Sequence, residues 1–208
     1  MQDWNPALYL RFADERTRPA AELLARVPLV EQPDRPLRVV DLGCGPGNST
    51  ELLVQRFPTA QVLGVDNSEA MLAAARKALP QARFELADIA SWTSEAGAAA
   101  PDLIYANASI QWVAGHEQLL PRLFALLAPG GVLAIQMPDN RQEPTHRLMR
   151  EVARQPRFAS LIGDADKVRT DILPIGAYYD LLAAASSRAA FVDVWHTVYQ
   201  HPMESAAA

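Results

Sequence analysis

The run Val39-Val40-Asp41-Leu42-Gly43-Cys44-Gly45-Pro46-Gly47-Asn48-Ser49-Thr50 limits what this chain can fold into more than any other stretch. Leu37, Val39, Val40 and Leu42 give the apolar run of a buried strand. Gly43, Gly45 and Gly47 then allow a sharp turn and leave no Cβ between the backbone and a ligand. Asn48 followed by Glu51 reads as the N-cap and third position of a capping box, so a helix begins there. A strand, a glycine turn and a helix in that order start a βαβ unit. The turn lacks the Gly-Lys-Ser/Thr of a P-loop. Its G-x-G-x-G spacing also differs from the G-x-G-x-x-G of nicotinamide-dinucleotide folds.

The same alternation continues down the chain. Gln61–Asp66, Arg83–Asp88, Pro101–Asn107 and Val132–Met137 read as further strands. Leu52, Leu53 and Phe57 mark one helix between them, and Met71, Leu72, Ala75 and Leu79, after a Ser68 cap, mark a second. Leu119, Leu120, Leu123, Leu126 and Leu127 mark a third, with Pro121 as a possible kink. Strands alternating with helices, joined by right-handed crossovers, predict an α/β fold: a doubly wound, mostly parallel sheet covered on both faces. Ahead of it, Ala20, Leu23, Leu24 and Val27 mark a helical face. Trp4, Tyr9 and Phe12 either staple that preface to the core or form a lid. After residue 138 the rhythm breaks. Pro138, Pro144, Pro156 and Pro174 interrupt short helical patterns, Tyr178–Leu182 suggests another helix, and Phe191–Tyr199 reads as a sixth strand.

Composition narrows the function. A net charge of −5 argues against nucleic acid as the main partner. The single cysteine, Cys44, cannot form an internal disulfide. It is either a reactive thiol near a helix N-terminus or, as favoured here, a small turn residue. The N-terminus lacks the regions of a signal peptide. No apolar run approaches the roughly 20 residues that span a bilayer. The expectation is a cytoplasmic protein with no membrane partner and no metal.

In an open parallel sheet, ligands bind beyond the carboxyl ends of the strands, where strand order reverses. Asp41, Asp66, Asp88 and Asn107 stand at four successive strand ends. The strand-Asp-x-Gly-x-Gly-x-Gly-helix run resembles the first motif of class I S-adenosylmethionine (SAM) methyltransferases. More specifically, several segments resemble the trans-aconitate 2-methyltransferase family. They are Asp3–Leu10, Glu15–Ala20, Asp41–Thr50, Tyr105–Trp112, Gln136–Asn140 with Glu143–His146, and Val192–Thr197.

That resemblance implies SAM as cofactor and a role for each position. Asp41 would pair with the α-ammonium group beside Gly43, Gly45 and Gly47. Asp66, with Asn67 next to it, would hold the ribose diol. Asp88 and the backbone of Ile89 would read adenine between Met71 and Ile89. Asn107 would end its strand beside the sulfonium, and Arg18 would hold the SAM carboxylate. The reaction implied is methylation of one carboxylate of trans-aconitate. A carboxylate is already ionised at pH 7, so no general base and no catalytic residue in that sense is expected. A tricarboxylate needs cations, because guanidinium meets carboxylate through paired hydrogen bonds. Arg16, Arg141, His146 and Arg147 are the substrate candidates, with Trp4 and Tyr9 from the preface. Tyr105 and Trp112 are expected to pack the sheet end.

The expected organisation is one domain over residues 1–208. It comprises an N-terminal helical lid (1–30), a SAM-binding core (37–137) and a partial substrate half (138–208). The superfamily sheet has a seventh, antiparallel strand for which no residues follow the sixth, so a shortened chain is expected. Two alternatives stay open: a non-catalytic SAM-binding scaffold, and an O-methyltransferase for another small or carrier-bound carboxylic acid.

Overall fold

The computed structural model describes residues 13–31, 34–95, 97–165, 172–185 and 191–200, with the side chains of residues 13–16 outside that description. The chain divides into two compact units, residues 1–172 and 173–208.

The first unit contains one five-stranded sheet in the order β3-β2-β1-β4-β5. The strands are β1 (Arg38–Leu42), β2 (Gln61–Asp66), β3 (Arg83–Leu86), β4 (Leu103–Asn107) and β5 (Val132–Gln136). All four pairings are parallel. The central strands β1 and β4 are almost wholly buried, as strands covered on both faces must be. Strand order reverses between β1 and β4, so their exits form the switch point.

The helices are α1 (Ala13–Ala25), α2 (Asn48–Arg56), α3 (Glu69–Ala78), α4 (His116–Ala125), α5 (Pro144–Ala153) and α6 (Pro156–Ile162). The chain steps from β1 through β2 to β3 in one direction and from β4 to β5 in the other. Right-handed crossovers therefore put α2 and α3 on one face and α4 on the other. Helix α1 packs on α2 and β5. The buried Tyr105 hydroxyl fixes it there by donating to the Ala20 carbonyl at 2.6 Å.

Several expectations are corrected in detail. Asn48 is not the N-cap of α2. Gly47 takes that place in the left-handed conformation, at φ 104°, without a side-chain cap. Ser68 does cap α3, accepting the Met71 N–H at 3.2 Å. Strand β3 ends at Leu86, so Ala87 and Asp88 lie past the ladder. Pro144 and Pro156 start α5 and α6 instead of interrupting them, because a proline lacks only an N–H that the first turn leaves unpaired. Pro121 sits inside α4.

In the second unit, α7 (Ile175–Ala185) includes Tyr178, whose hydroxyl accepts the Leu173 N–H at 3.0 Å. Residues 191–200 form no strand. Phe191 and Val198 are 88% and 72% exposed, and no neighbouring strand among the described residues offers this segment a ladder.

Candidate active site

The site is built at the exits of the strands, and hydrogen bonds tie those exits together. The first is between β1 and β2. Gly43 and Cys44 donate their N–H groups to the Val65 carbonyl at 2.7 and 3.0 Å. The Gly45 N–H donates to Asp66 Oδ2 at 2.9 Å, and the Ser68 N–H donates to Asp66 Oδ1 at 2.9 Å. Asp66 therefore spans the glycine turn and the start of α3. Each of its oxygens keeps lone-pair capacity for a further donor. A Cβ at Gly45 would meet nothing within 4 Å, so the space over the turn is open.

The exit of β4 closes against the same turn. Ser109 Oγ donates to the Leu42 carbonyl at 2.6 Å. A Cβ placed on Gly43 would stand 2.2 Å from Ser109 Cβ and 3.3 Å from Ile89 Cδ1. Only glycine permits that approach, and the backbone there is left-handed at φ 75°. Ala108 is the one non-glycine residue with positive φ (52°) among the described residues. It follows Asn107, whose Oδ1 is buried without a hydrogen-bond partner among the described residues. An orphaned acceptor at a switch point suits a ligand donor.

At the exit of β3, the Ala87 N–H donates to the Asp66 carbonyl at 3.0 Å. Asp88 is exposed, and its Oδ1 accepts the Ala90 N–H at 2.9 Å. Ile89 is half-buried and touches the Gly43 position, so the exits of β1, β3 and β4 meet.

Asp41 differs from the expected ammonium partner. It has no exposed surface, and its Oδ2 accepts both Ser49 Oγ and Thr50 Oγ1 at 2.7 Å. Its Oδ1 has no hydrogen-bond partner among the described residues. Burial pushes its pKa up to about 6; the Ser49 and Thr50 hydrogen bonds oppose that rise, and the nearby Asp66 charge adds to it. Asp41 thus braces the first turn of α2 from inside the sheet. Cys44 is 3% exposed. Burial, together with the charges of Asp41 and Asp66, pushes its thiol pKa up. A thiol so buried and so disfavoured as thiolate fits the turn-residue reading.

The other candidates divide. Asn67 is exposed, whereas Met71 is buried in α3 at 3% exposure, so its side chain lines no open surface. Arg18 sits on an exposed side of α1 in an ion pair with Glu22 at 2.9 Å. Arg141, His146 and Arg147 follow β5 in sequence, Arg141 in the connection to α5 and the other two on α5 itself. The Arg141 carbonyl accepts from Arg150 at 2.7 Å, Thr145 Oγ1 and His146 Nδ1 are 3.3 Å apart, and Arg147 lies 3.7 Å from Glu151. Tyr105 is buried as expected, but Trp112 is 50% exposed and does not pack the sheet end. Trp4, Tyr9 and the Arg16 side chain lie outside the described residues.

Sequence reasoning missed Ser49, Thr50 and Ser109 as braces, and also Arg122. The position of Ser49 and Thr50 one turn into α2 could have suggested the first two. Ser109 and Arg122 act across 67 and about 30 residues, a separation that no local pattern encodes.

A family profile described as a methyltransferase domain matches residues 11–174. A trans-aconitate 2-methyltransferase of Delftia acidovorans is 72% identical over all of this chain and 78% of its own length. One of Variovorax paradoxus is 71% identical over all of the chain and 77% of its own. One of Escherichia coli O157:H7 is 54% identical over 99% of the chain and 75% of its own length. Among solved structures, the complex of the Haloferax volcanii Trm112 methyltransferase activator with a methyltransferase matches with a TM-score of 0.64. The identity is 19%, over 89% of this chain and 77% of that one. The plantazolicin methyltransferase BpumL matches with a TM-score of 0.53 at 21% identity, over 86% and 64% of the two chains. These structural likenesses establish the fold, and the sequence relatives establish the family. With its glycine turn, the acid at the exit of β2 and relatives of this identity, the chain belongs to the trans-aconitate 2-methyltransferase family of methyltransferases.

Proposed function

We propose that this protein transfers a methyl group from SAM to one carboxylate of trans-aconitate, giving a monomethyl ester and S-adenosylhomocysteine. The single observation that carries the reading is the Asp66 bridge: a carboxylate at the exit of β2 bonded to the glycine turn of β1, under open space. When bound, SAM supplies an electrophilic methyl on a sulfonium.

The chain's own residues do the rest. Asp66 accepts the ribose hydroxyls with its remaining lone pairs, and Asn67 flanks it. The turn Gly43–Gly47 lets the amino acid part approach the backbone. The buried Asp41 sets α2 at the end of that turn, so its role here is positioning, without contact to the ammonium group. Asp88 and the Ile89 N–H read the adenine edge. The orphaned Asn107 Oδ1 faces the demand of a donor group. Arg18, whose Nε bonds Glu22, is the candidate for the SAM carboxylate.

The nucleophile is a carboxylate that is ionised without help, so no residue removes a proton. It is weak in water because it is hydrated. The site therefore has to align oxygen, methyl and sulfur and replace water with fixed donors. Arg141, His146 and Arg147 after β5, with Arg16, Trp4 and Tyr9, are the candidates for gripping the tricarboxylate. The reading includes a cytoplasmic compartment, consistent with a metabolite substrate. Among the described residues, no helix is long and apolar enough to cross a membrane.

The test is incubation with methyl-labelled SAM and a panel of di- and tricarboxylic acids. Ester on trans-aconitate in preference to the others is the expected result. SAM binding with no ester on any acid would favour a scaffold role. Ester only on another acid would move the substrate.

A further inference from the structure

Arg122, on α4, donates to three carbonyls of the loop that follows β3. Nη2 reaches the Ile89 and Ala90 carbonyls at 3.0 and 2.9 Å, and Nη1 reaches that of Trp92. The same loop folds on Asp88 from inside. Ser91 and Trp92 donate their N–H groups to the Asp88 carbonyl at 3.1 and 2.8 Å, and Ala90 donates to the side chain. Its N–H groups are thus gathered on Asp88 while its carbonyls are gathered on one guanidinium. Among the described residues, Arg122 has no carboxylate partner, so these three hydrogen bonds serve backbone geometry and not charge neutralisation. Lysine has no fork with which to hold three carbonyls in fixed directions.

The helix carrying Arg122 is itself anchored at the other wall of the site. His116, the first residue of α4, is 2% exposed, and its Nε2 lies 2.9 Å from the Ile110 carbonyl in the turn after β4. Helix α4 therefore connects the loop beyond β3 to the turn beyond β4.

We propose that Arg122 is a positioning residue of the cofactor site. By holding the carbonyls of residues 89, 90 and 92, it sets the direction of the Ile89 N–H and the Asp88 carboxylate, and so determines selectivity for a purine bearing a 6-amino group. The inference rests on the reading of Asp88 and Ile89 as the adenine contacts. It adds a residue from the opposite face of the sheet that never touches the ligand.

The test compares wild type with R122M, R122K and D88A. It measures calorimetric affinity for SAM and for the analogue with purine in place of adenine, which lacks the 6-amino group. Arg122→Met weakens SAM by about tenfold, the loss of one hydrogen bond to the ring. It weakens the purine analogue much less. KM for SAM rises while kcat at saturating SAM holds. Arg122→Lys keeps the stem and the charge, shifts the same ratio in the same direction, and carries the test if R122M does not fold. A purely structural role would weaken both ligands equally, and an unchanged SAM-to-analogue ratio in both Arg122 variants overturns the proposal. Asp88→Ala separates the two levels. If D88A binds SAM as wild type does, the adenine reading falls and the proposal with it. If D88A loses affinity while the Arg122 variants keep the wild-type ratio, only the positioning role falls.

Discussion

Ser109 Oγ donates to the Leu42 carbonyl at 2.6 Å, and its Cβ occupies the space that a side chain at Gly43 would need. One serine therefore both fastens the exit of β4 to that of β1 and demands glycine on the facing residue. The switch point is closed by the Ser109 side chain against the backbone of β1, while the space beside Gly45 stays open.

A first prediction follows from that contact. Gly43→Ala adds a Cβ at 2.2 Å from Ser109 Cβ on a residue with φ 75°. Overpacking of this kind costs about 1–3 kcal/mol, with more from the left-handed backbone. Urea denaturation should show the loss. Adding Ser109→Gly should return the steric part and leave the backbone part. Additive losses in the double variant would deny the contact.

Asp41 gives a pH-dependent prediction. Its pKa is raised from 3.8 to about 6 in the fold, so folding favours the protonated form. The stability from this group is full below about pH 4 and is lost as pH rises through about 6. The shift corresponds to about 3 kcal/mol at neutral pH. The stability of wild type relative to Asp41→Asn should therefore fall by up to that amount between pH 4 and 7. A flat or rising difference in denaturant titrations would contradict it.

Asp102 runs the other way. Its burial raises the pKa, but the Arg35 guanidinium and the Arg38 N–H outweigh burial and hold it below the usual carboxylate range. Its contribution is present above about pH 4, the unfolded value, and is lost as pH falls through the lower folded value. The stability advantage of wild type over Asp102→Asn should shrink on acidification below pH 4. An advantage that grows with acid would be the opposite outcome.

Ser68→Ala removes the acceptor for the Met71 N–H at the start of α3. A lost N-cap costs about 1 kcal/mol. Thermal unfolding should show that loss, and Ser68→Asp should recover most of it.

The parallel sheet was legible because β1, β2, β4 and β5 are short, largely apolar runs and each intervening helix has its own apolar stripe. The exit positions of Asp66 and Asn107 followed from the same pattern. Other features depended on contacts the pattern does not carry. Asn48 looked like a cap, yet the three-glycine turn moves the cap to Gly47. Asp41 read as an open strand-end ligand, yet it has no exposed surface and Ser49 and Thr50 both bond its Oδ2. Phe191–Tyr199 has strand composition, but a strand exists only with a paired neighbour, and no pairing to it is found among the described residues. The Arg122 clamp joins α4 to the loop after β3, a meeting only the crossover topology creates.

The central claim is that the Asp66 carboxylate, bridging the glycine turn and α3, holds the ribose of SAM. Calorimetric titration of SAM into wild type and into Asp66→Ala, each checked for folding by circular dichroism, measures this most directly. Wild type should bind saturably, and the variant should lose about 1–3 kcal/mol, from the ribose hydrogen bonds. Equal affinity in the two folded proteins, or no binding by wild type, would contradict it.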